Sequence, residues 1–181
     1  RITAKRIDDE PLTRTVVKQG LAILPALAAK DGDVADKVVW AMGEAAMDVQ
    51  DDVEYSKKYS DGLVNAAFIP TFVEDGLAIL PEVAAKRGST AVKLVVAMAK
   101  AAQGDDALTA KVFAQGLDIT SGLDAKNAAE LITELAKAAQ GNDTLTTNVV
   151  TQGLDITSRL DAEDAAELIT ELAKAAQGND T

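Results

Sequence analysis

The sequence predicts an all-α chain built from tandem helical hairpins, and three observations carry that expectation. Residues 108–144 and 145–181 are 37-residue units identical at 30 positions, and a period of that length marks stacked supersecondary units. Apolar residues make up 48% of the chain, yet aromatic residues only 3%, so the core must come from Ala, Leu and Val, which suit closely packed helices. Within a late unit, Ala128, Leu131, Leu135 and Ala138 recur at helical spacing with Ile132 and Ala139 alongside, forming one apolar stripe.

A Gly-Leu pair recurs along the chain and aligns it on Gly20, Gly76, Gly116 and Gly153. The alignment divides the sequence into a lead-in (1–10), a first unit (11–49), an insertion (50–67), a second unit (68–107) and the two late units (108–144 and 145–181). The first two units share G-L-A-I-L-P and, at the end of the matched stretch, A-M; the third opens like the first, and the second closes on A-K-A-A-Q-G-D-D, almost as the last two end. Proline at positions 25 and 81, where the late units have Ser121 and Ser158, predicts that the first helix of each early unit ends or kinks there. The residues that follow are expected to form a short extra turn, giving two or three helices per unit.

In the late units the second helix has matching start and stop signals. Asp124 and Asp161 stand at N-cap positions, Lys137 and Lys174 fall in the last turn, and Gly141 and Gly178 suit the position after the helix,. The first helix spans Leu108 to about Ser121, and Thr144 is the expected N-cap of its successor,. The resulting architecture resembles the armadillo and HEAT α-solenoids in outline, with no signature motif of either family present. The recurrent glycine costs roughly 1 kcal/mol against alanine inside a helix. Its return in every unit therefore points to close helix approach, with a ligand path along the row as the sharper alternative.

Composition excludes much chemistry. The chain has no His and no Cys, which removes the usual nucleophile-base pairs and the common zinc and haem ligands. No Gly-rich phosphate loop, nucleophile elbow or Ser-x-x-Lys motif occurs,. A net charge of −11 repels nucleic acid and anionic lipid surfaces, and no apolar run reaches the roughly 18–20 residues of a membrane-spanning helix. The chain has no initiator Met, and Thr181 falls on a unit boundary; both predict a segment of a longer protein.

What chemistry remains is weak. Glu130 with Glu134, and Glu167 with Glu171, share helix faces and could serve acid-base or metal work, but a solvated face explains them better. Asp31, Asp33 and Asp36 are clustered without the spacing of a calcium loop,, and turn or cap duty accounts for them. The sequons at Asn142 and Asn179 fall in interhelix loops that need no sugar,. Five aromatics, Trp40, Tyr55, Tyr59, Phe68 and Phe72, gather around the insertion that breaks the period, and insertions in repeat arrays commonly carry binding surface. Tyr55 and Tyr59 flank Lys57 and Lys58, an arrangement able to grip a peptide or a ligand carboxylate. These five residues are the candidate binding site, with gap-filling between dissimilar units as the alternative role.

The expectation is thus a non-enzymatic helical repeat scaffold without cofactor or metal, meeting another protein or copies of itself through its repeat faces. The alternative is a helical carrier of a small apolar or anionic ligand held near residues 40–72.

Overall fold

The computed structural model describes residues 10–59 and 68–178, with side chains over 15–46 and 68–178. Among the described residues there are eight α-helices, one short 3-10 turn and no strand. The helices are α1 (Glu10–Lys30), α2 (Gly32–Tyr59), α3 (Phe68–Lys86), α4 (Gly88–Ala101), α5 (Asp106–Ile119), α6 (Ala125–Ala138), α7 (Asp143–Thr157) and α8 (Ala162–Gln177). The 3-10 turn, Thr120–Gly122, follows α5. The described part of each unit therefore holds one pair of helices.

Side-chain caps set several of these boundaries. Asp105, Asp124, Asn142 and Asp161 take extended backbone and accept hydrogen bonds from the first free amides of α5, α6, α7 and α8, as N-caps should. Asn142 rather than Thr144 caps α7, accepting from the Leu145 amide at 3.1 Å, so Thr144 lies in the first helical turn. Among the described glycines, Gly104 and Gly141 take positive φ, where the chain reverses after α4 and α6; Gly178 keeps right-handed φ.

The expected stop at Pro25 and Pro81 does not occur. Helices α1 and α3 run through their prolines to Lys30 and Lys86, and no separate extra helix forms. A proline inside a helix forfeits one backbone hydrogen bond and crowds the preceding turn, about 3 kcal/mol. Continuing the helix places Ala28 and Val83 in the core, which offsets part of that cost. The insertion also behaves differently from its sequence boundary, since α2 crosses residue 50 without a break and reaches Tyr59.

Packing follows chain order. Odd-numbered helices contact one another in the order α1, α3, α5, α7, even-numbered helices in the order α2, α4, α6, α8, and α1 with α2, α3 with α4 and α7 with α8 close each pair. One contiguous apolar core runs from Val17 to Ala175. The recurrent glycines sit where helices come closest. A Cβ on Gly153 would lie 2.7 Å from Leu172 Cδ1 and 2.9 Å from Ile132 Cγ2, and one on Gly116 would lie 3.0 Å from Val95 Cγ1. Each late glycine thus presses on the second helix of its own unit and on that of the unit before it. The space is filled by Met42, Met98, Leu135 and Leu172, which leaves no ligand path along the row.

Candidate functional site

The glycine contacts place Met42, Met98, Leu135 and Leu172 at one register of the even-numbered helices. Two residues earlier on each helix stand Trp40, Val96, Thr133 and Thr170, of which Trp40 and Thr170 are exposed, Thr133 is half-buried and Val96 packs against the core. Trp40 is 68% exposed there. Beside it, α2, α4 and α6 leave an open groove of about 290 Å³ lined by Trp40, Val39, Val92, Val96 and Ala97, with Asp36, Glu44, Lys93, Lys100, Glu130 and Glu134 among the charged groups at its walls. A second groove of about 270 Å³ continues between α6 and α8, bordered by Lys126, Glu130, Thr133, Glu134, Asp164 and Glu167.

A polar contact ties together two of the helices that border the first groove. Asp36, half-buried on α2, accepts from the Thr90 hydroxyl at 2.7 Å and from the Lys93 ammonium, both on α4. Burial pushes the Asp36 carboxyl upward, but the hydrogen bonds from Lys93 and Thr90 and the charges of Lys93 and Arg87 outweigh it and hold the group below the ordinary carboxylate value,. Thr90 itself is fully buried, so this contact satisfies its hydroxyl and pins α2 to α4. A carboxyl whose folded value is depressed supports folding above its unfolded value, and that support disappears as pH falls through the folded value. Acid titration of unfolding free energy is therefore expected to show stability declining below about pH 4, and Asp36→Asn should flatten that limb; an unchanged acid limb would show that the Asp36 contact is not coupled to folding.

The five aromatic candidates separate into three environments. Phe68 and Phe72 are buried and stack on each other along α3, ring centroids 6.5 Å apart and nearly parallel at 5°. Trp40 faces solvent in the groove and is not part of that stack. Tyr55 and Tyr59 lie on the α2 backbone, and their side chains fall outside the described residues. The structure thus does not bring Trp40 together with Phe68 and Phe72. The sequence alignment on the Gly-Leu pairs matches Trp40 with apolar Val96, so it held no signal for this exposure.

Since the chain has a single tryptophan, its fluorescence reports on the groove alone. Emission close to that of indole in water, with acrylamide quenching near that of the free amino acid, is the expected result; a blue-shifted, shielded signal would mean that Trp40 is covered.

Five of the acidic candidates, Asp31, Asp33, Asp36, Glu134 and Glu171, make structural contacts. Asp31 accepts from the Val34 amide at the start of α2, Asp33 pairs with Arg87 at 3.6 Å, and Asp36 is held as described. Glu134 and Glu171 pair with Lys137 and Lys174 three residues on, at 2.7 and 2.6 Å. The hydrogen bond from Lys174 draws the Glu171 carboxyl down, and the hydrogen bond to Glu134 draws the Lys137 ammonium up. Asp75 Oδ2 is buried without a hydrogen-bond partner, at the register that Gln19, Gln115 and Gln152 hold in the other units. Among the described residues no three acidic side chains converge as metal ligands would, and no helix is long and apolar enough to cross a membrane.

Comparison of the chain with protein-family models, curated proteins and solved structures finds no match.

Proposed function

We propose that this chain is a non-enzymatic helical repeat scaffold, an α-solenoid of four stacked units with odd-numbered helices in one layer and even-numbered helices in the other. Its work is to present extended repeat faces to a protein partner or to further copies of itself. The observation that carries this reading is the dependence of burial on unit position. Val39, Val95, Ile132 and Ile169 occupy one register. The first three are buried by the unit that follows, and Ile169 in the last unit is 48% exposed. Stacking by nearest-neighbour interfaces predicts that pattern, whereas a core shared among all helices would bury the last copy as well.

The grooved even-helix face with Trp40 is the surface proposed for a protein partner. An exposed tryptophan beside aliphatic and charged walls has the composition of interface anchors, where aromatic residues contribute most. The charge of −11 argues against nucleic-acid partners.

In-frame duplication of residues 108–144 tests the scaffold reading. An additional unit is expected to fold in place, add helix in proportion to its length and raise the unfolding midpoint, because it adds one unit and one further interface. Loss of cooperative unfolding in the duplicated chain would overturn the reading. The alternative, a carrier of a small apolar or anionic ligand, has less support because Phe68 and Phe72 bury against the core instead of lining the groove. Native mass spectrometry separates the two, since only a carrier would retain a small ligand.

A further inference from the structure

We propose that the partner of the α7–α8 end is a second copy of this chain, joined head to tail through the interface that the chain already builds between its own third and fourth units. The proposal rests on the stacked-unit reading and names what that stack accepts.

The internal joint has two halves. The donor half lies on α7: Val149 and Ile156 are buried against the third unit, Gly153 faces Ile132, the Thr146 hydroxyl donates to the Ala139 carbonyl at 3.0 Å, and Gln152 Nε2 donates to Thr120 Oγ1 at 3.2 Å. The acceptor half is formed by Leu117, Thr120, Ile132, Ala136 and Ala139.

Each half is present a second time without a partner. The acceptor half is repeated residue for residue in the last unit as Leu154, Thr157, Ile169, Ala173 and Ala176. Ile132, Ala136 and Ala139 are buried, but Ile169 and Leu154 are 48% and 52% exposed and Ala173 and Ala176 face solvent. The donor half is repeated in α1. Residues 145–156 read L-T-T-N-V-V-T-Q-G-L-D-I and residues 12–23 read L-T-R-T-V-V-K-Q-G-L-A-I. Val149, Gln152, Gly153 and Ile156 are thereby matched by Val16, Gln19, Gly20 and Ile23. Val149 and Ile156 are buried, whereas Val16 and Ile23 are 57% and 53% exposed.

One chain therefore shows solvent the acceptor surface at one end and the donor surface at the other, and the two are complementary because their counterparts already fit inside it. Such a contact is heterologous, so every copy added leaves one free surface at each end and assembly does not stop at a dimer unless the rotation closes a ring. The joint between copies differs from the internal one, in which α8 also packs on α6, and it lacks one polar tie. Arg159 reaches back to the carbonyls of Thr120 and Leu123, and the corresponding position in α1 is Ala26. Association between copies is accordingly weaker than stacking within the chain and depends on concentration.

Sedimentation velocity on the whole chain across a concentration series, with two variants at exposed positions, tests the proposal. The wild type is expected to grow past two copies as concentration rises. Ile169→Glu and Ile23→Glu should each be monomeric, with helix content equal to the wild type. An equimolar mixture of the two should form a dimer and nothing larger, because each retains the half that the other has lost. Leu154→Glu and Val16→Glu form a second pair with the same expectation, should either of the first two fail to fold. A wild type that remains monomeric, a single variant that still dimerises with itself, or a mixture that remains monomeric would each overturn the proposal. The duplicated chain described above reads the stack independently, so its folding alongside a monomeric wild type would remove head-to-tail joining alone.

Discussion

Replacing Ile132 by alanine is expected to lower the unfolding free energy by about 2–5 kcal/mol, and the same substitution at Ile169 by less than about 0.5 kcal/mol. Both isoleucines sit in the identical segment A-A-E-L-I-T-E-L-A-K-A-A-Q-G, so helix propensity and local side-chain pairs are the same. What differs is the neighbour. Ile132 is fully buried against the Gly153 surface of α7, while Ile169 stands 48% exposed. Truncating the first opens a cavity inside a packed joint; truncating the second trims a side chain already in water. Urea titration of both variants, at a concentration low enough to hold the chain monomeric, measures the difference. Equal losses would mean that burial in this chain is not set by the unit that follows.

Phe72→Ala is expected to cost about 3–5 kcal/mol, a large share of the roughly 5–15 kcal/mol that holds a domain folded. Phe72 is fully buried and stacked on Phe68, at the register where the other units place Val16, Val112 and Val149. Unit 2 thus fills with an aromatic ring the volume that valine occupies elsewhere. Its neighbours are helix-borne and close in only in part when the ring is removed. Trp40→Ala should by contrast change stability by less than about 0.5 kcal/mol, because that ring is mostly in solvent. Thermal and urea unfolding of the two variants check the contrast, and a Trp40 variant as damaged as the Phe72 one would place both rings in the core.

Helix class was legible because caps and periodicity agree: Asp124 and Asp161 begin α6 and α8 as their positions suggest. The recurrent glycine was legible for a similar reason, since a residue that weakens a helix and still returns in every unit must be making room. Pro25 and Pro81 misled because local cost is only one side of the balance. The apolar residues beyond each proline pack against the neighbouring helices, and a single-residue rule contains no term for that. Proximity in sequence did not place the aromatic candidates in one environment. Trp40 and Phe72 are both aromatic and both near the insertion, but they belong to different registers, one exposed on α2 and one buried on α3. Register along the helix decides solvent exposure.

The hydroxyls of Thr109 and Thr146 each donate to the last carbonyls of the preceding unit, Ala102 at 2.9 Å and Ala139 at 3.0 Å. At these two joints a helix end is therefore closed by a residue seven positions later, in the unit that follows. The last turn of the second and of the third unit thus has an orphan carbonyl satisfied only when the opening turn of the next unit is in place, so a change that frays one unit's first helix also unseals the end of the unit before it.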